Sequence, residues 1–423
     1  MILIGIATIA MLLTSLTIGR LRSAESLLLM PFAAGSALLP LFSDVPFLSL
    51  RTGHAVLALF LAFEWFVLTG MGMYFDGLEQ RVRRPARSVF LRHGGSALKW
   101  CAVILSLVLL VYVVGLAAQI IAAPSMTEYF LEKRAQAHAE GGIDVSNPLA
   151  YRAINFSMAL ILLMSSWRYF DATTRIPAWR TAFLVLLSVG SIASVLEGNR
   201  STLIVTLIAL MCFVYVRRLV PAKTMLVWIA GFVLLFVLSM QMLRLDGDFS
   251  LEGIRVAFAW FVLYAFGSLA SFADFFDQGI ATFWYTFDIG ALKLGAELAK
   301  DIGAREFFII DYVDVGSLST NVYSGYAVLY DYLGAWAFAF LLGKSVVFYS
   351  VKHAGRHNFV ANACYVAVLA SYPLTIYHEF MLTTLYYCVN ILALAGVLWL
   401  AAYLAAKPAA RRGGPQTILA VGR

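Results

Sequence analysis

Charge is scarce in this chain. Only 13% of its 423 residues are Asp, Glu, Lys or Arg, while 61% are hydrophobic; soluble domains carry about a quarter charged residues. That excludes an ordinary soluble fold. Short alternating apolar–polar segments are absent too, which excludes a transmembrane β-barrel. Cysteine is sparse and unpatterned: Cys101, Cys212, Cys364 and Cys388 lie far apart inside apolar runs, with no metal or redox motif. They read as small buried hydrophobes. There is no HExxH pair, GxSxG elbow or P-loop, so no metal and no cofactor is expected. No internal repeat is visible, which counts against a transporter built from paired halves.

What is present is a succession of apolar stretches, most of them long enough to cross a hydrocarbon core of about 30 Å as a helix. They fall at 1–19, 24–42, 53–74, 97–121, 149–167, 178–196, 201–216, 224–243, 326–350, 359–377 and 382–405. The expectation is an all-α polytopic integral membrane protein, a single transmembrane domain of about eleven spans within a range of about ten to fourteen. The first stretch lacks a basic leader region and a clear small-residue cleavage site, so it reads as a retained span.

Alternate connections hold the basic residues. Arg20 and Arg22, Arg81 to Lys99, Arg168 to Arg180, Arg217 to Lys223, Lys352 and Arg356, and the basic C-terminus form one set. With Lys344 counted there as a span-end residue, this set has about two thirds of all Lys and Arg and one sixth of the acids. The bias puts that side and the C-terminus in the cytoplasm. The run "RVRRPARSVFLRH" then reads as a short cytoplasmic loop, and no nucleic-acid partner is expected. On the other side lie two longer segments, 122–148 and 244–325. The second is a large, mainly helical periplasmic loop before the last three spans. Its apolar part, 256–272, reads as a re-entrant or interfacial helix, because Arg255 precedes it and Asp274 and Asp277 follow it.

Charges at membrane depth are costly and usually mark a functional path. The candidates gather on the periplasmic side. Glu197 and Arg200 sit between the sixth and seventh spans in "SVLEGNRSTLIV"; Arg244 follows the eighth. Arg255 opens the apolar part of the large loop, and Arg305, Asp311 and Asp314 lie near its end. Asn321, Tyr323 and Tyr326 open the ninth span, Asp331 lies about a turn further in, and His378 and Glu379 close the tenth. Several arginines facing one cavity suit a diphosphate, because guanidinium stays charged and binds oxyanions as a bidentate fork. Plainer readings stand beside this one. Arg200 could pair with Glu197, Arg244 and Arg255 could anchor at the interface, His378 could be structural, and Asp331 could hold a tyrosine or backbone group.

At these residues the chain resembles the bacterial O-antigen and oligosaccharide repeat-unit polymerases. "GNRSTLIV" is similar to their small-residue–Arg–Ser turn, and "FVLYAFGSLASFADFF" to their periplasmic Tyr–Gly–Phe segment. "TNVYSGYAVLYDYLGAWAFAFLLG" is similar to their Thr-Asn-x-Tyr entry. The resemblance runs in order from about residue 190 to 400; before that only hydropathy agrees. It departs at "YDYLG", where the family more often has Asp-Phe-Gly, which leaves the role of Asp331 open.

The resemblance implies a glycosyltransferase in the bacterial inner membrane, working on its periplasmic face. It would move a growing glycan from undecaprenyl diphosphate onto the non-reducing end of a lipid-linked repeat unit. The lipid-linked oligosaccharide is then both donor and acceptor, and a chain-length regulator protein is a further partner. Arg200, Arg244, Arg255 and Arg305 are the expected diphosphate ligands, and His378 or Glu379 the expected base. Glu197, Asn321, Tyr323 and Asp331 are the expected supporting residues. An O-antigen ligase-like transferase and a non-enzymatic flippase or transporter of lipid-linked oligosaccharide are the alternatives. The flippase should carry charges near the midplane and polar residues along both halves.

Overall fold

The computed structural model describes residues 1–42, 52–79, 89–124, 128–129, 148–171, 175–197, 200–244, 249–269, 272, 313–315, 318–320, 326, 329, 336–376 and 381–412. Helices account for nearly all of them. In chain order they are α1 (Ile2–Thr17), α2 (Ala24–Phe42), α3 (Thr52–Glu79), α4 (Val89–Ala122), α5 (Pro148–Phe170), α6 (Trp179–Leu196) and α7 (Arg200–Val216). There follow α8 (Ala222–Arg244), α9 (Leu251–Phe266), α10 (Ala337–Ala354), α11 (Phe359–Leu369), α12 (Ser371–Leu374) and α13 (Met381–Arg412).

Five stretches are long and apolar enough to cross a membrane: Ala24–Leu41, Thr52–Gly77, Gly95–Ala122, Leu149–Phe170 and Trp179–Leu196. Shorter apolar helices include Ile2–Thr17, Thr202–Val216, Lys223–Leu238, Phe359–Leu374 and Thr384–Leu400. The outer surface matches that composition. On α4, Ile104, Leu107, Val111 and Val114 are exposed; on α8, Leu226, Val227, Leu234 and Leu235 are exposed. Such contiguous apolar faces are unfavourable in water and at home in lipid. These are the features of a helical membrane protein.

The middle of the bundle is α11. From Asn362 to Leu369 every residue is buried, as expected of a helix apolar on all sides. It packs on α5, α7, α10 and α13. The expected span at 359–377 is broken: α11 ends at Leu369 and α12 starts at Ser371. Pro373 supplies the reason, because it has no N–H to offer the Leu369 carbonyl one turn before it. Around this centre, α3 packs on α1, α2 and α10, α4 on α5 and α6, and α9 on α2 and α8.

Asn362 fastens the centre to its neighbours. Its Nδ2 donates to Ser166 Oγ on α5 at 2.8 Å, and Ser166 Oγ donates to the Phe359 carbonyl at 2.5 Å. Its Oδ1 accepts from Arg217, just past α7, at 3.2 Å. Gly355 makes the approach possible, since a Cβ there would stand 2.9 Å from the Asn362 Cα.

One expectation changes and another is met in part. Of the helix expected over 326–350, the described part is Ala337–Ala354 together with Tyr326 and Leu329, which are helical and buried; the residues between them lie outside the described set. The large loop, expected to be helical, also contains an antiparallel strand pair: β1 (Val313–Val315) and β2 (Leu318–Thr320), with Asp314 opposite Ser319. The alternation in "VDVGSLST" around a two-residue Gly-Ser connection is a hairpin pattern that charge-based reading passes over. Most of 122–148 and of 244–325 lies outside the described residues.

Asn362→Ala removes the link from α11 to both α5 and α7 and leaves buried partners unsatisfied. It should destabilise the detergent-solubilised protein by about 1–3 kcal/mol. Thermal unfolding followed by circular dichroism would register this, and an unchanged midpoint would refute it.

Candidate functional site

Three levels of polar groups can be distinguished along the bundle. α7 gives the scale: Arg200 opens it and Arg217 follows its last residue, so these two lie at opposite ends of about 26 Å of helix.

At the Arg200 end, α6 stops at Leu196 and α7 begins at Arg200. The apolar run at 182–216 is therefore two helices joined by a tight connection, as the sequence led us to expect. Glu197 caps α6, its N–H bonded to the Ala193 carbonyl at 3.0 Å. Its carboxylate accepts the hydroxyl of Tyr112, on α4, in a short hydrogen bond. Glu197 is thus held by α4 as well as by its own turn. The backbone positions of Arg200 and Arg244 are described, as the first residue of α7 and the last of α8, but their side chains are not. The five-residue connection between α7 and α8 makes these helices antiparallel neighbours, so Arg200 and Arg244 share an end. Arg255 lies one turn into α9, whose N-cap Ser250 accepts from the Gly253 N–H at 3.0 Å. It is exposed and pairs with exposed Glu252 at 3.8 Å. Arg305, Asn321, Tyr323, Asp331, His378 and Glu379 lie outside the described residues, as does Asp311; Asp314 is in β1.

Deeper in the bundle is a pair the sequence reading missed. Glu64, near the middle of α3, and Lys344, in α10, meet at 2.9 Å with both side chains 0% exposed. The expectation that Lys344 marks a span end is corrected: it is buried in the interior. Tyr326 donates to the second oxygen of Glu64 in a short hydrogen bond, its ring stacked on Phe60 at 5.6 Å. Lys344 donates to Thr375 Oγ1 at 3.1 Å and lies 5.0 Å from the centre of the Tyr372 ring. One ion pair thus joins α3, α10, the residues following α12 and the turn at Tyr326. Nearby, Ser268, beyond α9, donates to the Ile376 carbonyl. The signal was in the sequence: single charges stand in "FLAFEWFVL" and "FLLGKSVVF". A lone charge at membrane depth is a site by default, but a single sequence does not say that these two meet.

The third level is the basic end. Arg20, between α1 and α2, donates to Glu25 Oε1 at 2.8 Å and to Asp76 Oδ2, on α3, at 2.5 Å. Tyr349 of α10 donates to Glu25 Oε1 at 3.1 Å. Gly72 makes room for this, because a Cβ there would overlap both the Arg20 guanidinium and the Tyr349 hydroxyl. Burial pulls the Arg20 pKa down, but Glu25, followed by Tyr349 and Asp76, outweighs it, and the group ends above its ordinary value. Residues from alternate connections therefore do meet at one end of the bundle.

Among the described residues no cluster of His, Cys, Asp or Glu could hold a metal ion. Comparison with protein-family models, curated proteins and solved structures finds no match to this chain.

Truncating either partner of the interior pair leaves an uncompensated buried charge, which costs about 3–5 kcal/mol. Lys344→Met and Glu64→Met should each lower the unfolding temperature sharply. The double variant should regain much of the loss, because an apolar pair of similar volume needs no charge partner. A double variant no more stable than the worse single one would show that the two residues are not coupled.

Proposed function

We propose that this protein is a polysaccharide polymerase of the O-antigen type, a glycosyltransferase acting on polyprenyl-diphosphate-linked oligosaccharide. The observation that carries this reading is the grouping at one end of the bundle. The α6–α7 turn with Glu197 fixed by Tyr112, the opening residue Arg200, the closing residue Arg244 of α8 and the start of α9 with Arg255 all belong to that end. It lies across the bundle from the basic connections, so the charge bias assigns it to the periplasmic side. The cytoplasmic membrane of a bacterium, about eleven spans and a cytoplasmic C-terminus complete the reading.

The chemistry needs little more than fixed charge. The bond from the anomeric carbon of the donor glycan to the diphosphate oxygen breaks, and the acceptor hydroxyl oxygen forms the new glycosidic bond. Negative charge grows on the diphosphate as it leaves, and preorganised arginines stabilise it. Arg200 and Arg244 take that role, with Arg255 and Arg305 as further ligands. The acceptor proton passes to a base within hydrogen-bond reach, His378 or Glu379. Glu197, Asn321, Tyr323 and Asp331 support the site. The donor and acceptor are both lipid-linked, and a chain-length regulator is a further partner.

A second reading, a flippase or transporter of lipid-linked oligosaccharide, is favoured by one observation. The Glu64–Lys344 pair is a charge site deep in the bundle, which such a protein needs and one-sided chemistry does not. Purified protein given lipid-linked repeat units, without nucleotide or ion gradient, separates the two: a new glycosidic bond identifies the enzyme.

Arg200→Ala should leave inserted, folded protein that makes no long glycan, read as collapse of the glycan ladder to single repeat units. Arg200→Lys should also be poor, because a point charge does not reproduce the fork. A full-length ladder from Arg200→Ala would remove Arg200 from the mechanism.

A further inference from the structure

Two of the four cysteines meet. Cys364 lies in α11 and Cys388 in α13, helices that pack on each other. Cys364 Sγ faces the Cys388 carbonyl oxygen at 4.0 Å, and Cys388 Sγ faces the Cys364 carbonyl oxygen at 3.6 Å. Side chains that reach past each other in this reciprocal way belong to residues placed opposite at a helix crossing. The two thiols also come within hydrogen-bonding reach of each other. From such an approach a disulfide can close; the bond joins Cα atoms about 4.4–6.8 Å apart. Both are free thiols in this structure, as are Cys101 and Cys212, which stand on other helices, α4 and α7.

The pair is shut off from water. Cys364 is 6% and Cys388 7% exposed, and both belong to the main apolar core. The thiolate is the reactive form of cysteine, and an apolar site disfavours it. Exchange with a charged, water-borne disulfide is therefore blocked twice, by access and by charge. The lipid side is nearer. Val389, next to Cys388, and Leu392, one turn further on, are exposed apolar residues on the surface of α13. An oxidant that reaches this pair has to be lipid-soluble, and it has to remove protons together with electrons. The chain between the two cysteines is also special. It holds α12, then Thr375, which accepts from Lys344, and then His378 and Glu379.

We infer that Cys364 and Cys388 form a redox modification site, a dithiol that closes to a disulfide with a lipid-soluble quinone as the oxidant. Two S–H bonds break and one S–S bond forms. The quinone takes both protons and both electrons on its oxygens and leaves as the hydroquinone. No charge stays behind in the bundle, which suits an apolar interior. The closed bond ties the central helix to α13 and turns the segment between them into a loop. Such a cross-link restricts the unfolded chain and so stabilises the fold. It also holds the segment with Thr375, His378 and Glu379 from both sides. This inference does not depend on the polymerase reading.

The test uses the purified full-length protein in lipid vesicles. It is incubated with a short-tailed ubiquinone or, as the charged water-borne control, with oxidised glutathione. Remaining thiols are tagged with a maleimide after denaturation and counted by intact mass. With the quinone, wild type should lose two of its four thiols; with oxidised glutathione it should keep all of them. Peptide mapping should place the link between Cys364 and Cys388. C364A and C388A should each keep every remaining thiol, while C101A should still lose a pair. Oxidised wild type should unfold a few degrees above reduced wild type, and C364A should show no such shift. A full thiol count after quinone treatment overturns the inference. So does a link mapped to other cysteines, a quinone bound to sulfur in place of a disulfide, or equal oxidation by glutathione. Should one alanine variant fail to fold, the other decides the outcome, with the mapped link in wild type as the second readout.

Discussion

A charge inside a helical bundle in lipid must find its partner within the protein, and the Glu64–Lys344 pair is where this constraint binds most tightly. Both groups are removed from water, so each depends on the other and on the hydroxyls of Tyr326 and Thr375. The pair fixes the spacing of α3 and α10 and anchors the chain on either side of them. Burying it costs desolvation energy that the Coulomb attraction only partly returns. Its value is therefore in geometry: one register of α3 against α10 satisfies both charges, and a slip along either helix strands them.

Much of the fold was legible because lipid simplifies the code. Apolar length located α1 to α3 and α5 to α8 within about five residues, since each helix must be nearly uniform in composition along its span, whereas α4 starts earlier, α13 runs further and α11 ends sooner than expected. The turn at Glu197–Arg200 was legible for the same reason, as a short polar interruption in an otherwise apolar run. The break at Ala370 was harder to see, because one proline in an apolar helix bends it in some contexts and divides it in others. The β-hairpin at 313–320 was missed because its signal is a period of two over only a few residues.

The site was less legible than the fold. Sequence reading weighted charges near helix ends, where arginines are easy to interpret, and so singled out Glu197 and Arg200. It treated the basic connections as markers of orientation and placed Lys344 among them. Residues of one basic connection differ in direction: Arg218 is exposed while Arg217, its neighbour, turns between two tyrosines. That distinction depends on Asn362 and Gly355, far along the chain. Polar groups at both ends and in the middle also explain why a one-sided enzyme and a two-sided carrier are not separated by composition.

The Arg20–Glu25 pair bears on how the chain is made. Tyr349, which also binds Glu25, lies 324 residues further on. At a synthesis rate of about 5–20 residues per second, about 15 to 65 s pass before it leaves the ribosome. During that interval Glu25 has Arg20 five residues away to neutralise it, so the α1–α2 hairpin can wait in the bilayer without a bare carboxylate. Glu64 waits for Tyr326, 262 residues later, with no Lys or Arg between Arg51 and Arg81 to stand in. During biogenesis α3 therefore has no Lys or Arg of its own to offer Glu64, and the carboxylate goes without its final partner until Lys344 has been made.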